Sequence, residues 1–551
     1  MTAAERECVL EARSLSIGFA QDDDETAWVT QDVSFSVDAG ETLAIVGESG
    51  SGKTVTAMAV LDLLPGNAVR SGEILFRGED LVAASPERLR TMRGQDIAMV
   101  FQEPMTAFNP VYTVGRQISD AIRSHESISS KAASERAVDL LRLVGIPEPE
   151  RRVKSFPHQL SGGQRQRAMI AMAIACRPAV LIADEPTTAL DVTVQQEILQ
   201  LLRRLQRELS MAIILITHDM GVVAEMADRV IVMRSGEVVE RADVHALFEK
   251  PSHPYTRALL EAVPRIDTAA AESAPPEEAS SLALEVSDLH VRYRGPWGRP
   301  GFLAVQDVSL TIGHGRMLGL VGESGSGKST IGRAIVGLAP IEAGTVRING
   351  RELDTSRSRQ PAEVRRQYAM VFQDPASSLN PRVSIGESIA EPFVVHRREL
   401  SGRERRARVA ELLEMVELPA EWESRFPHEL SGGQRQRIGI ARALALEPSL
   451  LIADEPTSAL DVSVQAAVLR ILQELQERLG FSCLFISHDL AVVELLADQV
   501  AVLQHGRLVE SGATAQVLRH PREDYTRRLV EAAPVPDPVV QRQRASASER
   551  T

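Results

Sequence analysis

The sequence predicts an α/β fold made twice over: two modules in tandem, each a parallel sheet covered by helices on both faces, with a helical lobe inserted. Three observations predict it. The loop Gly-Glu-Ser-Gly-Ser-Gly-Lys-Thr at Gly47–Thr54 recurs at Gly322–Ser329, with Ser in the last place. The run Leu-Ser-Gly-Gly-Gln-Arg-Gln-Arg starts at Leu160 and again at Leu430. Continuous apolar runs (Thr42–Val46, Ala179–Ala183, Ile213–Thr217) alternate with longer amphipathic stretches, as in strands buried on both faces.

The repeat is long. Lys53 and Lys328 stand 275 residues apart, Gln102 and Gln373 stand 271 apart, and Ser161/Ser431, Asp184/Asp454, His218/His488 and Tyr255/Tyr525 are all 270 apart. Solenoid repeats recur every 20–50 residues or so, so this period marks two whole domains. Module one is expected over residues 8–265 and module two over 284–533. Between them, residues 266–283 are rich in Ala, Pro, Glu and Ser and read as a flexible linker, with an extended reach of about 60 Å. Such a tether holds the modules at an effective concentration of order millimolar. The tail 534–551, rich in Pro, Arg and Ser, is expected to be disordered, and Asp22–Glu25 to be a solvated loop.

In module one, Thr42–Val46 reads as a strand entering the glycine loop and Thr54–Leu64 as the helix leaving it. The stretch from about 115 to 175 is helical in pattern, punctuated by Pro147, Pro149 and Pro157, and reads as the inserted lobe.

Composition bounds the rest. Of 551 residues, 44% are hydrophobic and 25% charged, as in ordinary globular proteins. The net charge of −14 argues against a protein whose main work is gripping nucleic acid, though not against a local basic patch. Cys8, Cys176 and Cys483 form no Cys-x-x-Cys pair and no disulfide framework, which fits a reducing compartment. Cys176 and Cys483 lie in apolar contexts and read as core residues. No apolar run approaches the length of a membrane span, and Met1–Glu7 has no signal-peptide core. The chain is expected in the cytosol, so work at a membrane needs other subunits for the spans.

A Gly-x-x-x-x-Gly-Lys-Ser/Thr loop between strand and helix cradles phosphate with backbone N–H groups at the positive helix end. Gly50 and Gly52 let the chain pass close to oxygen atoms at angles closed to other residues. Lys53 brings charge to the β- and γ-phosphates, and the Thr54 hydroxyl is placed for Mg²⁺. Gly325, Gly327, Lys328 and Ser329 repeat these parts. A plain Gly/Ser turn shares the composition, but not twice in the same strand–helix setting.

Leu-Ile-Ala-Asp-Glu-Pro at 181–186 and at 451–456 sets two carboxylates at the end of an apolar strand. Asp184 and Asp454 suit Mg²⁺. Glu185 and Glu455 are expected to point the opposite way, because strand side chains alternate, and to polarise the attacking water. An N-cap before Pro-Thr is the plainer reading of Asp in this place. His218 and His488 end the next strand. A lone histidine is more often structural, but this one recurs at the C-terminal sheet edge where ligands bind, so a bond to the γ-phosphate is expected.

Together these motifs resemble the ATP-binding cassette (ABC) ATPases, over nearly the whole chain. The resemblance implies tandem P-loop NTPase (RecA-like) cassettes, each with an inserted helical subdomain and a small antiparallel β part. Ser161-Gly162-Gly163-Gln164 and Ser431-Gly432-Gly433-Gln434 match the family's signature motif, which offers a helix start to nucleotide held by the opposite module. Gln102 and Gln373 match the Q-loop, which in the family senses Mg²⁺ and the membrane subunits. Ala189-Leu190-Asp191 and Ala459-Leu460-Asp461 match the D-loop. Phe19 and Tyr293 fall where the family sets an aromatic against adenine, and a core aromatic suits those places equally. The family pairs its cassettes head to tail. Lys53, Gln102, Asp184, Glu185 and His218 would share one ATP with Ser431 and Gly433. Lys328, Gln373, Asp454, Glu455 and His488 would share the other with Ser161 and Gly163. Neither half lacks a required residue.

A finer resemblance is to the peptide importer branch (oligopeptide, dipeptide and nickel uptake). Pro251–Pro264 contains its His253-Pro254-Tyr255-Thr256 motif. Module two keeps Tyr525-Thr526-Arg-Arg-Leu but has Glu523-Asp524 for His-Pro. Asn109-Pro110 and Asn380-Pro381 after each Q-loop also fit, although the motif could be a mere helix-start turn. Some relatives carry a cysteine-rich iron–sulfur segment; without those cysteines, no cluster is expected.

The resemblance thus implies the ATP-hydrolysing motor of an importer, peripheral on the cytoplasmic face of the cell (inner) membrane. It implies two separate transmembrane permease subunits and an extracytoplasmic substrate-binding protein, with no nucleic acid. The permeases would dock between the α/β core and helical lobe near Gln102 and Gln373. The competing class is a soluble twin-cassette ATPase acting on ribosomes or DNA. The acidity, the absence of a long charged arm and the His-Pro-Tyr segment oppose it. Glu185 and Glu455 oppose a non-hydrolysing scaffold.

Overall fold

The computed structural model describes residues 7–21, 25–188, 190–264, 281–295, 301–354, 360–374, 378–458 and 460–548. The expected loop at Asp22–Asp24, most of the expected linker (266–280), Ala189 and Ala459 of the D-loop matches, and the last three residues lie outside them. The chain divides into two compact units. One comprises Met1–Leu190, Val194–Val263 and Pro534–Thr551, the other Asp191–Thr193 and Pro264–Ala533.

In unit one a six-stranded sheet runs in the order Glu237–Asp243, Arg229–Arg234, Thr42–Val46, Ala212–Ile216, Val180–Asp184, Ile97–Val100. The pairs are parallel except at the Glu237–Asp243 edge. All residues of the strands Thr42–Val46, Val180–Asp184, Ala212–Ile216 and Ile97–Val100 are buried, which is why they read as unbroken apolar runs. A second, antiparallel sheet joins Thr26–Asp38, Cys8–Ala20, Ala68–Phe76 and Glu79–Asp80. This is the small β part that the resemblance implied.

The helical lobe holds Val114–His125, Ser130–Leu143 and Gly162–Ala173. Thr113 and Ser129 cap the first two by accepting from the amides of Arg116 and Ala132. Ile118, Ile122, Leu141, Met169 and Ile170 fill its core. The helix after the glycine loop spans Lys53–Val60, shorter than the expected Thr54–Leu64.

Unit two repeats this. Its six-stranded sheet runs Tyr368–Val371, Leu450–Asp454, Ser482–Ile486, Met317–Val321, Gln499–Gln504, Arg507–Ala513, antiparallel only at the last pair. Its four-stranded sheet opens with Leu282–Tyr293, so structure begins two residues inside the expected linker. Its lobe holds Ile385–His396, Gly402–Met415 and Gly432–Leu444. Cys483 is buried in the core as expected, whereas Cys176 is only half-buried.

The tail differs from expectation. Residues 534–548 are not disordered: Pro538–Ser548 is a helix, and it belongs to unit one. Asp537 caps it, accepting from the amides of Val539 and Val540, and Pro538 sits at its first position. The helix lies on Met220–Met226. Gln541 Nε2 donates to Glu225 Oε2 at 2.8 Å, both side chains buried, and the Arg542 guanidinium donates to the Ala227 carbonyl. Pro534 sits over Gly221 so closely that a Cβ there would come within 2.4 Å of its ring. Composition suggested fraying; a specific buried partner 316 residues away outweighs it.

Candidate functional site

The site grows from strand ends. In unit one Thr42–Val46 runs into Gly47–Gly52, and Lys53 opens the next helix. Gly52 is that helix's N-cap at φ 96°, and a Cβ there would lie 2.4 Å from Thr30 Cγ2. Only glycine meets both demands. Gly327 has φ 104° in the same role, and Gly50 and Gly325 also take left-handed angles.

Lys53 is buried inside this loop. Its Nζ donates to the carbonyls of Gly47 and Glu48, both at 2.8 Å. Lys328 does the same to Gly322 and Glu323, at 2.7 and 2.9 Å. Burial lowers the Lys328 pKa. Thr54 Oγ1 donates to Asp184 Oδ1 at 3.2 Å, and Ser329 Oγ to Asp454 Oδ1 at 2.7 Å. Burial raises the pKa of both aspartates, Asp184 to about 6. A hydroxyl beside a carboxylate, both oxygen donors, suits a hard cation such as Mg²⁺.

A second cluster forms around each glutamate. Glu185 Oε2 accepts from Gln102 Nε2 at 2.7 Å, and His218 Nδ1 lies 3.1 Å from Oε1. In unit two Gln373 Nε2 donates to Glu455 Oε2 at 2.9 Å, and His488 Nδ1 stands 3.3 Å away. Burial favours the neutral acid in both glutamates, but the histidine hydrogen bond and nearby lysine outweigh it, so both pKa values are lowered. Burial likewise opposes charge on His488, and the Glu455 bond outweighs it, raising its pKa.

The opposite orientations of Asp184 and Glu185 do not come from strand alternation. The strand ends at Asp184, and Glu185 turns away at φ 46°, with its amide bonded to the Ile216 carbonyl. Glu455 does so at φ 45°. Thr188, which sequence reasoning passed over, donates Oγ1 to Glu185 Oε2 at 2.9 Å. Its signal was the second threonine of Asp-Glu-Pro-Thr-Thr.

Ser161 and Gln164 lie elsewhere in unit one, at the exposed start of Gly162–Ala173. They form a reciprocal capping box, as Ser431 and Gln434 do for Gly432–Leu444. A Cβ at Gly163 would meet Val194 Cγ1 at 2.6 Å, and at Gly433 would meet Val464 Cγ1 at 2.1 Å. Gly162 and Gly432 have more room, with Leu190 and Leu460 at 3.7 and 3.4 Å. Phe19 and Tyr293 are half-buried at the ends of antiparallel strands, and Tyr293 packs on the unit-two core.

Comparison with known proteins identifies the family. The family model described as ABC transporter matches residues 30–188 and 305–458, more than half of the chain. The chain belongs to the ABC transporter family. A further model, for the C-terminal region of oligopeptide/dipeptide transporters, matches 239–286 and 509–550 of this ABC ATPase. The glutathione import ATP-binding protein GsiA of Escherichia coli strain K12 is 49% identical, the match covering 97% of this chain and 91% of that protein. GsiA of Pectobacterium atrosepticum is 47% identical over 96% of this chain and 90% of its own. Among solved structures, the ATP-binding cassette MJ0796 bound to ADP and Pi is 31% identical, with 42% of this chain and 98% of that chain covered at a TM-score of 0.38. Among the described residues, no helix is long and apolar enough to cross a membrane.

Proposed function

We propose that this ABC ATPase drives a membrane importer for short peptides of glutathione size. The observation carrying this is that both units hold a complete glutamate–glutamine–histidine cluster beside a lysine-filled loop, in a chain similar to glutathione import proteins over nearly its full length.

In this reading the loop amides and Lys53 or Lys328 receive the phosphates, turning from the loop carbonyls to the nucleotide. Thr54 with Asp184, and Ser329 with Asp454, would hold Mg²⁺ with Gln102 and Gln373 nearby, and the ion would supply positive charge against the phosphate oxygens. With Nδ1 held by the glutamate, His218 and His488 would meet the γ-phosphate through Nε2. Glu185 and Glu455, kept ionised, orient the attacking water and take its proton. The signature helix starts at Ser161–Gln164 and Ser431–Gln434 offer amides to the nucleotide of the opposite cassette, head to tail. Phe19 and Tyr293 stack on adenine.

The partners in this reading are two permease subunits and an extracytoplasmic binding protein, with the chain peripheral on the inner membrane. In unit two a groove of about 450 Å³ between sheet and lobe suits a permease helix; Tyr368, Phe372, Pro392, Val395 and Arg442 line it. The test is reconstitution with the permeases in vesicles. ATP inside and binding protein with glutathione or a dipeptide outside should give uptake, and Glu185→Gln with Glu455→Gln should abolish it. ATP-driven release of ribosomal subunits without any peptide uptake would favour the soluble class instead.

A further inference from the structure

The motif around Tyr255 marks a branch of the family, but its chemistry has so far had no part in the site. In unit one Tyr255 is the second residue of the helix Pro254–Glu261 and is 9% exposed. Its hydroxyl accepts a hydrogen bond from the Glu48 amide at 3.2 Å, across 207 residues of chain. Glu48 directly follows Gly47 in the phosphate loop. In unit two Tyr525, the second residue of Asp524–Ala532, accepts from the Glu323 amide, also at 3.2 Å. Burial pushes the Tyr525 phenol up to about 12, so it is a neutral hydroxyl at working pH.

Each helix start is itself anchored. Glu240 accepts from the Ser252 amide and hydroxyl, both at 2.7 Å, and from the His253 amide at 3.0 Å. Glu510 accepts from the amides of Arg522 and Glu523, at 3.0 and 3.2 Å. Because backbone amides provide these anchors in both units, exchanging His253-Pro254 for Glu523-Asp524 leaves them in place. Both units keep the acceptor carboxylate, the tyrosine and the threonine that follows it.

The held peptide matters because of what its other groups do. The carbonyl of that same peptide is Gly47's, and it receives Lys53 Nζ, as does the next carbonyl, Glu48's; Gly322 and Glu323 have the same relation to Lys328. A continuous path therefore leads from the tyrosine hydroxyl through the first peptide of the loop to the ammonium. Fixing that peptide fixes where the lysine and the following amides stand when phosphate arrives, and preorganised donors bind more tightly than mobile ones.

We infer that Tyr255 and Tyr525 are positioning residues of the two nucleotide sites, their hydroxyls bracing the first peptide of each phosphate loop. This rests on the phosphate-loop reading above and adds to it a role for the C-terminal segment.

The experiment uses the full chain with Tyr255→Phe and Tyr525→Phe together, and Lys53→Ala with Lys328→Ala as a separate variant. Phenylalanine keeps the buried ring and removes only the hydroxyl. Dissociation of a fluorescent ATP analogue, KM and kcat for ATP, and Tm are measured. The tyrosine variant should raise Kd and KM by about 3- to 10-fold, the loss expected of one neutral hydrogen bond. Its kcat should stay within about twofold, and its Tm should fall by no more than about 2–5 °C, the stability worth of the same bond. Unchanged Kd and KM in that variant overturn the brace, as does a change confined to Tm, which would give the tyrosines a packing role only. Unchanged analogue binding in the lysine variant overturns the phosphate-loop reading itself, so the two failures are distinct.

Discussion

Glu185 and Glu455 occupy backbone angles that non-glycine residues seldom take, φ 46° and 45°. The turn that imposes them also carries each carboxylate off the strand to its glutamine and histidine. Replacing both with Gln keeps size and hydrogen bonding but removes the base. ATP binding should persist while kcat falls about 10²- to 10⁴-fold, read in a phosphate-release assay beside an equilibrium binding measurement. Turnover at the normal rate would sink their assignment. The two glutamates are not held identically. Thr188 donates to the Glu185 carboxylate, whereas its counterpart Ser458 donates only to the Glu455 main-chain carbonyl. Thr188→Ala in a Glu455→Gln background should therefore slow the remaining site about 2- to 10-fold, the worth of one hydrogen bond. Ser458→Ala in a Glu185→Gln background should leave its site unchanged. Equal effects would argue against this asymmetry. These residues were legible in sequence because each motif is short and carries its own chemistry. The cause of Glu185's orientation was not, because a left-handed turn leaves no mark in residue type when glycine is not used.

The signature helices show two glycines doing different work at adjacent positions. Gly163 and Gly433 lie against Val194 and Val464, with no room for a Cβ. Gly162 and Gly432 have ordinary clearance. Gly433→Ala should cost about 1–3 kcal/mol through overpacking, lowering Tm by roughly 2–12 °C in a unit of this size. Gly432→Ala should fold like the parent, and any loss of activity there would come from the nucleotide side. Calorimetry of the two variants separates them, and equal Tm values would contradict the packing account. Buried parallel strands were readable as apolar runs, to within a residue of the observed Val180–Asp184 and Ala212–Ile216. The antiparallel sheets were not read from the residues at all. Their long strands mix buried and exposed positions and carry register shifts that break simple alternation.

At the scale of the molecule, the repeat fixed the two-unit plan, since matched motifs 270 residues apart admit little else. What it could not fix was which unit owns the tail. Asp537-Pro538 is a helix start visible in sequence, yet the helix is held by partners such as Glu225 that no local pattern reveals. Deleting residues 534–551 uncovers the Met220–Met226 helix and leaves Glu225 without Gln541. Unit one should lose about 1–3 kcal/mol, seen as a lower first transition on thermal unfolding, with unit two unaffected. A first transition at the parental temperature would show the tail to be dispensable. There is also a consequence for biogenesis. A ribosome finishing Val263 must still translate 270 residues before Pro534 emerges, about 15–55 s of synthesis. During that interval the nascent first half waits with a seam open, until a segment made 270 residues later closes it.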